Sequence, residues 1–364
     1  MAAVSRVPCL TPRQARPLAT QLLAWYDKNG RALPWRATKG CAPDPYRVWL
    51  SEIMLQQTTV VAVIPYYTSF LARWPELGAL AAADLNDVLH AWQGLGYYAR
   101  ARNLHACARQ LAADHGSRFP RTEAALRALP GVGSYTAAAI AAIAFGEAAT
   151  VVDGNVIRVI ARLFRIEVPL PRARREIAAA AALLTPSARP GDYAQAVMDL
   201  GATVCTPRSP DCPACPWRRP CLARVSGRPQ DLPRREAKPA RPTRHAVAFW
   251  AERPDGGVLL RRRAPSGLLG GMMEVPSTPW RARPWRLAEA TAHQPLAAAW
   301  RPLAGIVEHT FTHFHLKVAV VHGRAGRRRA GAGALWCAPA DFAGQALPSV
   351  MKKIARHAQS APRG

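Results

Sequence analysis

Cys205, Cys212, Cys215 and Cys221 fall within one short stretch, with six, two and five residues between them. Four thiols this close, in a loop punctuated by Pro207, Pro210, Pro213, Pro216 and Pro220, have no helix or strand to hold them unless a metal gathers them. Only one Cys-x-x-Cys pair is present, and no His stands near enough to complete a finger. The spacing leaves zinc open and fits a 4Fe-4S cluster better. Cys9, Cys41, Cys107 and Cys337 are scattered and read as ordinary buried or surface thiols. With no secretory signal read in the chain, a disulfide framework is not expected.

Two carboxyl groups and one glycine turn are the other places where chemistry could sit. Leu129-Pro130-Gly131-Val132-Gly133-Ser134-Tyr135-Thr136 leads into an apolar helix over Ala137 to Phe145. Glycines there let backbone amides turn outward at a helix N-terminus and hold a phosphate-sized anion; a plain helix-loop-helix turn uses the same residues. Asp153 stands where the next helix begins, a position where an Asp caps free amides. Glu52 lies in a predicted helix. A Glu at a helix centre ordinarily faces water, but Trp49, Ile53 and Met54 supply apolar bulk that could keep a carboxyl protonated at neutral pH. Gln56-Gln57 reads either as surface filler or as amides able to fill the gap left by an extruded base.

The elements that must carry these residues fall into two groups. Leu18, Leu22 and Trp25, and again Leu104, Ala108 and Leu111, recur at helical spacing, and Pro34, Gly94, Gly96, Gly116 and Pro130 fall between such segments. From 226 to 243 the chain is Arg, Pro, Lys and Gln with almost no core-forming residue, as linkers are. Beyond it His245 to Glu252, Val258 to Arg262 and Leu316 to His322 read as strands, the first two joined by the turn Pro254-Asp255-Gly256-Gly257, and Pro348 to His357 as a closing helix. The expectation is an all-α domain over 1–225, a linker over 226–243 and a smaller α+β domain over 244–364. A net charge of +26 on 364 residues calls for a polyanionic partner. No apolar run approaches a membrane span, and the chain is expected to be soluble, cytoplasmic and monomeric.

The turn, the Asp soon after it and the Cys spacing together resemble the helix-hairpin-helix DNA glycosylase superfamily, endonuclease III and its relatives. Bifunctional members carry a Lys where this chain has Tyr135, and that substitution narrows the resemblance to the MutY-type adenine DNA glycosylases. Trp49-Leu50-Ser51-Glu52-Ile53-Met54-Leu55-Gln56-Gln57-Thr58 looks like that family's first active-site helix. Gly94-Leu95-Gly96-Tyr97-Tyr98 looks like its minor-groove loop, and His309-Thr310-Phe311-Thr312-His313-Phe314-His315 like its lesion-sensing segment.

The resemblance implies base excision: release of adenine mispaired with 8-oxoguanine or guanine from duplex DNA, by base flipping and without strong lyase activity. It implies Glu52 as the proton donor to adenine, Asp153 as the carboxylate beside the sugar, and Tyr135 and Asn155 as orienting groups. Arg31, Trp35, Leu55 and Gln195 match positions lining the adenine pocket. Gln56, Gln57, Tyr97, Gly131 and Gly133 are DNA contacts, and Phe311, Thr312 and His313 sense the opposite base. The four Cys hold a 4Fe-4S cluster. Gly267-Leu268-Leu269-Gly270-Gly271-Met272-Met273-Glu274-Val275-Pro276 looks like the start of a Nudix-type fold, yet Trp280 to Gln294 offers only Glu289 where a working Nudix enzyme needs a run of Glu. That domain is expected to bind and not hydrolyse. The chain departs from the family with Met273 in place of Trp, Thr312 in place of Ser, and an insertion around Lys39 to Pro43.

Overall fold

The computed structural model describes residues 11–361 apart from Lys39, Lys238 and Arg328. Cys9 and Lys39, the first residue of the Lys39 to Pro43 insertion, therefore lie outside the described residues. The chain forms two compact units, one of Met1–Ala82 with Asn103–Lys238, the other of Ala83–Arg102 with Pro239–Gly364.

The first unit is helical. Its opening helix, Pro12–Asn29, buries Leu18 and Leu22 against Ile157 and Ile160, Ile177, Val197, Leu200 and Trp217. The Pro45–Leu55 helix starts where it does because Asp44 accepts the Tyr46 amide (2.9 Å) and Pro45 occupies the first helical position, which needs no donor. The Ser134–Phe145 helix is buried from Thr136 to Ala142, on every face, as a helix through the middle of a domain must be. Gly154–Leu163 is strongly amphipathic and packs on Arg174–Leu184 and Pro190–Asp199. Part of the stretch read as a linker packs on this unit. Leu232 is buried, Leu170 pairs with Arg235, and the Leu170 amide donates to the Arg234 carbonyl (2.9 Å).

The second unit is built on a mixed seven-stranded sheet: β1 (Thr243–Glu252), β2 (Val258–Arg262), β3 (Met273–Glu274), β4 (Arg301–Pro302), β5 (Val307–Thr310), β6 (His315–Arg324) and β7 (Ala334–Cys337). The order is β3-β2-β1-β6-β4, with β7 also on β2 and β5 also on β6. β1 and β6 run parallel over ten pairs, Thr243↔His315 to Glu252↔Arg324, and Ala246 to Ala251 are all buried, as befits a strand covered on both faces. The Ser349–Ser360 helix lays Val350, Met351, Ile354, Ala355 and Ala358 inward. The three longer strands and the closing helix lie where the periodicity predicts. β3, β4, β5 and β7, of two to four residues, are too short to carry a period. Where a Nudix helix would follow, the chain makes one α-helical turn, Leu287–Ala290, continued by a 3-10 turn over Thr291–His293, and Glu289 is paired with Arg281.

Candidate active site

The glycine turn positions one wall of a cleft in the first unit. Gly131 has φ +75°, a left-handed conformation, and a Cβ there would stand 2.7 Å from the Asn103 Cβ. Gly133, read with Gly131 as freeing the turn's amides, has φ −83° and open space around it, so only Gly131 is demanded by the backbone. The turn delivers Tyr135 into the cleft on the first turn of Ser134–Phe145.

The opposite walls come from the Pro45–Leu55 helix and from the start of Gly154–Leu163. All twelve candidate residues of this unit other than the cysteines line the same cleft: Arg31, Trp35, Glu52, Leu55, Gln56 and Gln57, then Gly131, Gly133, Tyr135, Asp153, Asn155 and Gln195. Glu52 is 5% exposed, and its Oε2 has no hydrogen-bond partner among the described residues. Burial pushes its carboxyl up to about 7; the Tyr135 hydroxyl beside it pulls down, the Asp153 charge pushes up, and Arg36 pulls down.

Asp153 is treated differently by its surroundings. Its Oδ1 accepts the Val156 amide (2.7 Å), capping the helix, and its Oδ2 accepts the Asn155 amide group (2.8 Å). Burial raises its pKa, and the Val156 and Asn155 hydrogen bonds and the Arg158 charge oppose that rise. Two neighbouring carboxyls thus differ: burial raises both, but one keeps a bare oxygen while the other is held by two donors that oppose the rise. The Tyr135 hydroxyl donates to Met198 Sδ (3.3 Å), and burial and both acidic neighbours keep it protonated. Gln56 Nε2 donates to Thr136 Oγ1 (3.1 Å), which fixes that amide at the cleft wall.

Sequence reasoning named Arg31 here but missed Asp199, Arg36 and Arg158. Asp199 is fully buried and accepts from the Arg31 amide (3.0 Å), Arg31 Nε (2.7 Å) and both terminal nitrogens of Arg36 (2.7 Å each). These bonds, with the arginine charges, overcome burial and hold its pKa below the usual carboxylate range. An Asp among Val197, Met198 and Leu200 is the signal that could have found it, since a charge in an apolar stripe needs a partner. Arg158 was likewise passed over. It donates to Asn155 Oδ1 (2.8 Å), to the Gly201 carbonyl (2.7 Å) and to the Cys205 carbonyl (2.7 Å).

Cys205, Cys212, Cys215 and Cys221 line one pocket together with Arg162, Arg218 and Arg224. No group of three or more His, Cys, Asp or Glu among the described residues is arranged to hold a single metal ion. Four thiols lining one pocket are a donor set that fits an iron-sulfur cluster. Arg162 is 1% exposed and donates to Cys205 Sγ (3.3 Å) and the Thr206 and Pro207 carbonyls (2.8 Å each), a buried cation suited to a pocket of thiolates. Trp217 Nε1 donates to the Leu18 carbonyl (2.9 Å) and ties the Cys loop to the opening helix.

The remaining candidates lie in the second unit. The Phe311 amide donates to the Phe314 carbonyl (2.9 Å), closing a tight turn between β5 and β6 with Thr312 and His313 exposed at its tip. The Tyr97 hydroxyl is 2.8 Å from Thr312 Oγ1, and Tyr97 has φ +48°. Arg100 fixes the Tyr97 loop by donating to the Leu95 and Gly96 carbonyls (3.0 and 3.2 Å) between the rings of Trp92 and Tyr97.

Residues 50–182 match the HhH-GPD superfamily of base excision DNA repair proteins, and residues 247–357 match the NUDIX domain. A solved thermostable thymine-DNA glycosylase superposes with a TM-score of 0.52 at 29% identity, covering 59% of this chain and 98% of that one. The class is therefore that of a helical base-excision repair protein carrying a Nudix-like domain. The adenine DNA glycosylase of Homo sapiens is 37% identical over 396 residues, 92% of this chain and 72% of its own. That of Mycolicibacterium smegmatis is 43% identical over 209 residues, 57% of this chain and 70% of its own. The chain belongs to the adenine DNA glycosylase family. Among the described residues no helix is long and apolar enough to cross a membrane.

Proposed function

We propose that the chain releases adenine mispaired with 8-oxoguanine or guanine in duplex DNA, by flipping the adenine into the cleft and protonating it as the glycosidic bond breaks. The observation that carries this reading is the contrast between Glu52 and Asp153 across one cleft. Glu52 gives its proton to adenine N7, and the electron pair of the broken bond leaves with the base. Asp153, ionised and steadied by Asn155 and Val156, faces the positive charge developing on the sugar; water then adds to the sugar and loses a proton. Tyr135 and Asn155 orient the two acids, Arg31, Trp35, Leu55 and Gln195 line the base pocket, and Gln56 and Gln57 occupy the space the base vacates.

The four cysteines would hold a 4Fe-4S cluster, which clamps the 205–221 loop and presents Arg208, Arg218, Arg219 and Arg224 to phosphates. The catalytic domain runs from 1 to 225, apart from the Ala83–Arg102 segment that folds with the other unit, and, after the 226–243 segment, the Nudix-like domain over 244–364 senses the opposite base through Phe311, Thr312 and His313, with Tyr97 beside Thr312. It binds and does not hydrolyse, since the one-turn Leu287–Ala290 helix leaves Glu289 alone and tied to Arg281. The enzyme acts as a cytoplasmic monomer on DNA. The test is single-turnover adenine release from an adenine:8-oxoguanine duplex: Glu52→Gln should lose release and keep duplex binding, and wild-type turnover in that variant would remove Glu52 from the mechanism.

A further inference from the structure

The tip of the β5–β6 turn holds two exposed residues, Thr312 and His313, and two aromatic ones, Phe311 and Phe314, at its feet. A turn of this size has little stiffness of its own. Its feet, however, stand on a third ring, from the irregular segment that follows β3. Trp280 stacks on Phe311 with centroids 5.4 Å apart and planes 28° apart, and meets Phe314 at 5.8 Å; Phe311 and Phe314 are themselves 4.9 Å apart. The Arg263 guanidinium lies 5.3 Å from the other ring's centroid, that of Trp280, and its own position is set by a salt bridge to Glu274. Glu274 is 2% exposed and is also held by Arg261 (2.7 Å). A buried carboxylate with two arginines is a fixed point, so the order Glu274, Arg263, Trp280, Phe311 runs from the rigid sheet to the turn. Arg244 over Phe314 (4.8 Å) holds the second foot.

We infer that Trp280 is a specificity-determining positioning residue: stacked on Phe311 and anchored through Arg263 to Glu274, it sets the pitch at which the Thr312–His313 tip meets the base opposite adenine. The inference rests on the reading of that tip as the opposite-base sensor. Trp280 is not among the residues that line the cleft. Its loss should leave adenine release intact and blur the choice between 8-oxoguanine and guanine, because a contact made by a Thr hydroxyl is lost when its backbone tilts by a fraction of an ångström.

The test compares single-turnover adenine release from adenine:8-oxoguanine and adenine:guanine duplexes in the full-length protein. Trp280→Ala should lower the ratio of the two rates by about tenfold, within the range of one lost base-edge contact. Trp280→Phe, which keeps a stacking ring, should restore it. Arg263→Gln leaves Trp280 in place and Glu274 still paired with Arg261, and should lower the ratio by several-fold; it also serves if Trp280→Ala does not fold. An unchanged ratio in both Trp280→Ala and Arg263→Gln, or equal slowing on both duplexes, overturns the inference. Phe311→Ala with His313→Ala separates the two readings. If that variant loses discrimination while Trp280→Ala keeps it, the sensor stands and the role of Trp280 falls. If discrimination survives in the double variant too, the sensor reading itself fails.

Discussion

Replacing Glu52 by Gln should make the protein more stable at alkaline pH, and the size of the effect follows from the site. The carboxyl moves from an ordinary value of 4.5 to about 7 on folding, chiefly through burial. At 1.36 kcal/mol per pH unit that is about 3 kcal/mol. Because the folded value is the higher one, Glu52 contributes no penalty below pH 4.5, where both states carry the proton. As pH rises from there, the unfolded chain releases its proton and the folded one does not, so stability falls until the folded carboxyl ionises near pH 7 and the loss levels off. Gln cannot ionise and escapes that loss. Its amide brings a constant cost for any unmet hydrogen bond, so the informative quantity is the change in the wild-type-minus-variant difference with pH, not its value at one pH. Urea unfolding of both proteins from acid to alkaline pH should show that difference swinging by about 3 kcal/mol in favour of Gln. Wild-type adenine release should fall about tenfold per unit above pH 7 over the same range, as the proton is lost. A difference flat with pH would refute the claim that burial holds Glu52 protonated, and with it the assignment of Glu52 as the acid.

Asp153→Asn should keep the helix cap through the Val156 amide but give up the bond from the Asn155 side chain, so adenine release slows by several orders of magnitude while the unfolding temperature drops only modestly; full activity would leave Asp153 as a cap alone. The purified protein should be brown and contain about four irons per chain, and stoichiometric zinc without iron in anaerobically prepared protein would reverse the assignment of the Cys pocket. Borohydride should trap no covalent adduct with DNA, because Tyr135 offers no amine; efficient trapping would point to a lyase.

Much of the site was legible because its residues also do local work. Asp153 is visible as a cap before it is visible as a carboxylate, Gly131 is visible as a turn, and Cys205 to Cys221 announce themselves by spacing. Asp199 stands out as a charge in an apolar stripe, but its partner Arg36 was not legible, because their pairing joins positions 163 residues apart and leaves no periodic trace. Arg158 reads as an ordinary solvated helix residue until Asn155 and the Cys205 carbonyl are found on either side of it. The long strands of the second unit carry a period and the short ones do not. Trp280 belongs to no motif, and only the stacking on Phe311 gives it meaning. Nothing in the composition of Ala83–Arg102 sets it apart from the helices around it.

That last segment changes what a truncation of this chain means. Gln93 donates to the Gln345 and Leu347 carbonyls (2.7 and 3.2 Å), Lys352 to Gln93 Oε1 (3.0 Å), and Arg102 to the Gly270 carbonyl (2.5 Å). The C-terminal unit therefore borrows a piece of chain that precedes its own first strand by well over a hundred residues. Removing 239–364 would not yield a trimmed enzyme. It would strip Gln93, Arg102 and the loop bearing Tyr97 of their support and leave a raw surface in the middle of the helical sequence, with aggregation and proteolysis the first things to be seen. A gene split at the linker is a cut across one folded body, and point changes in the turn are the cleaner instrument.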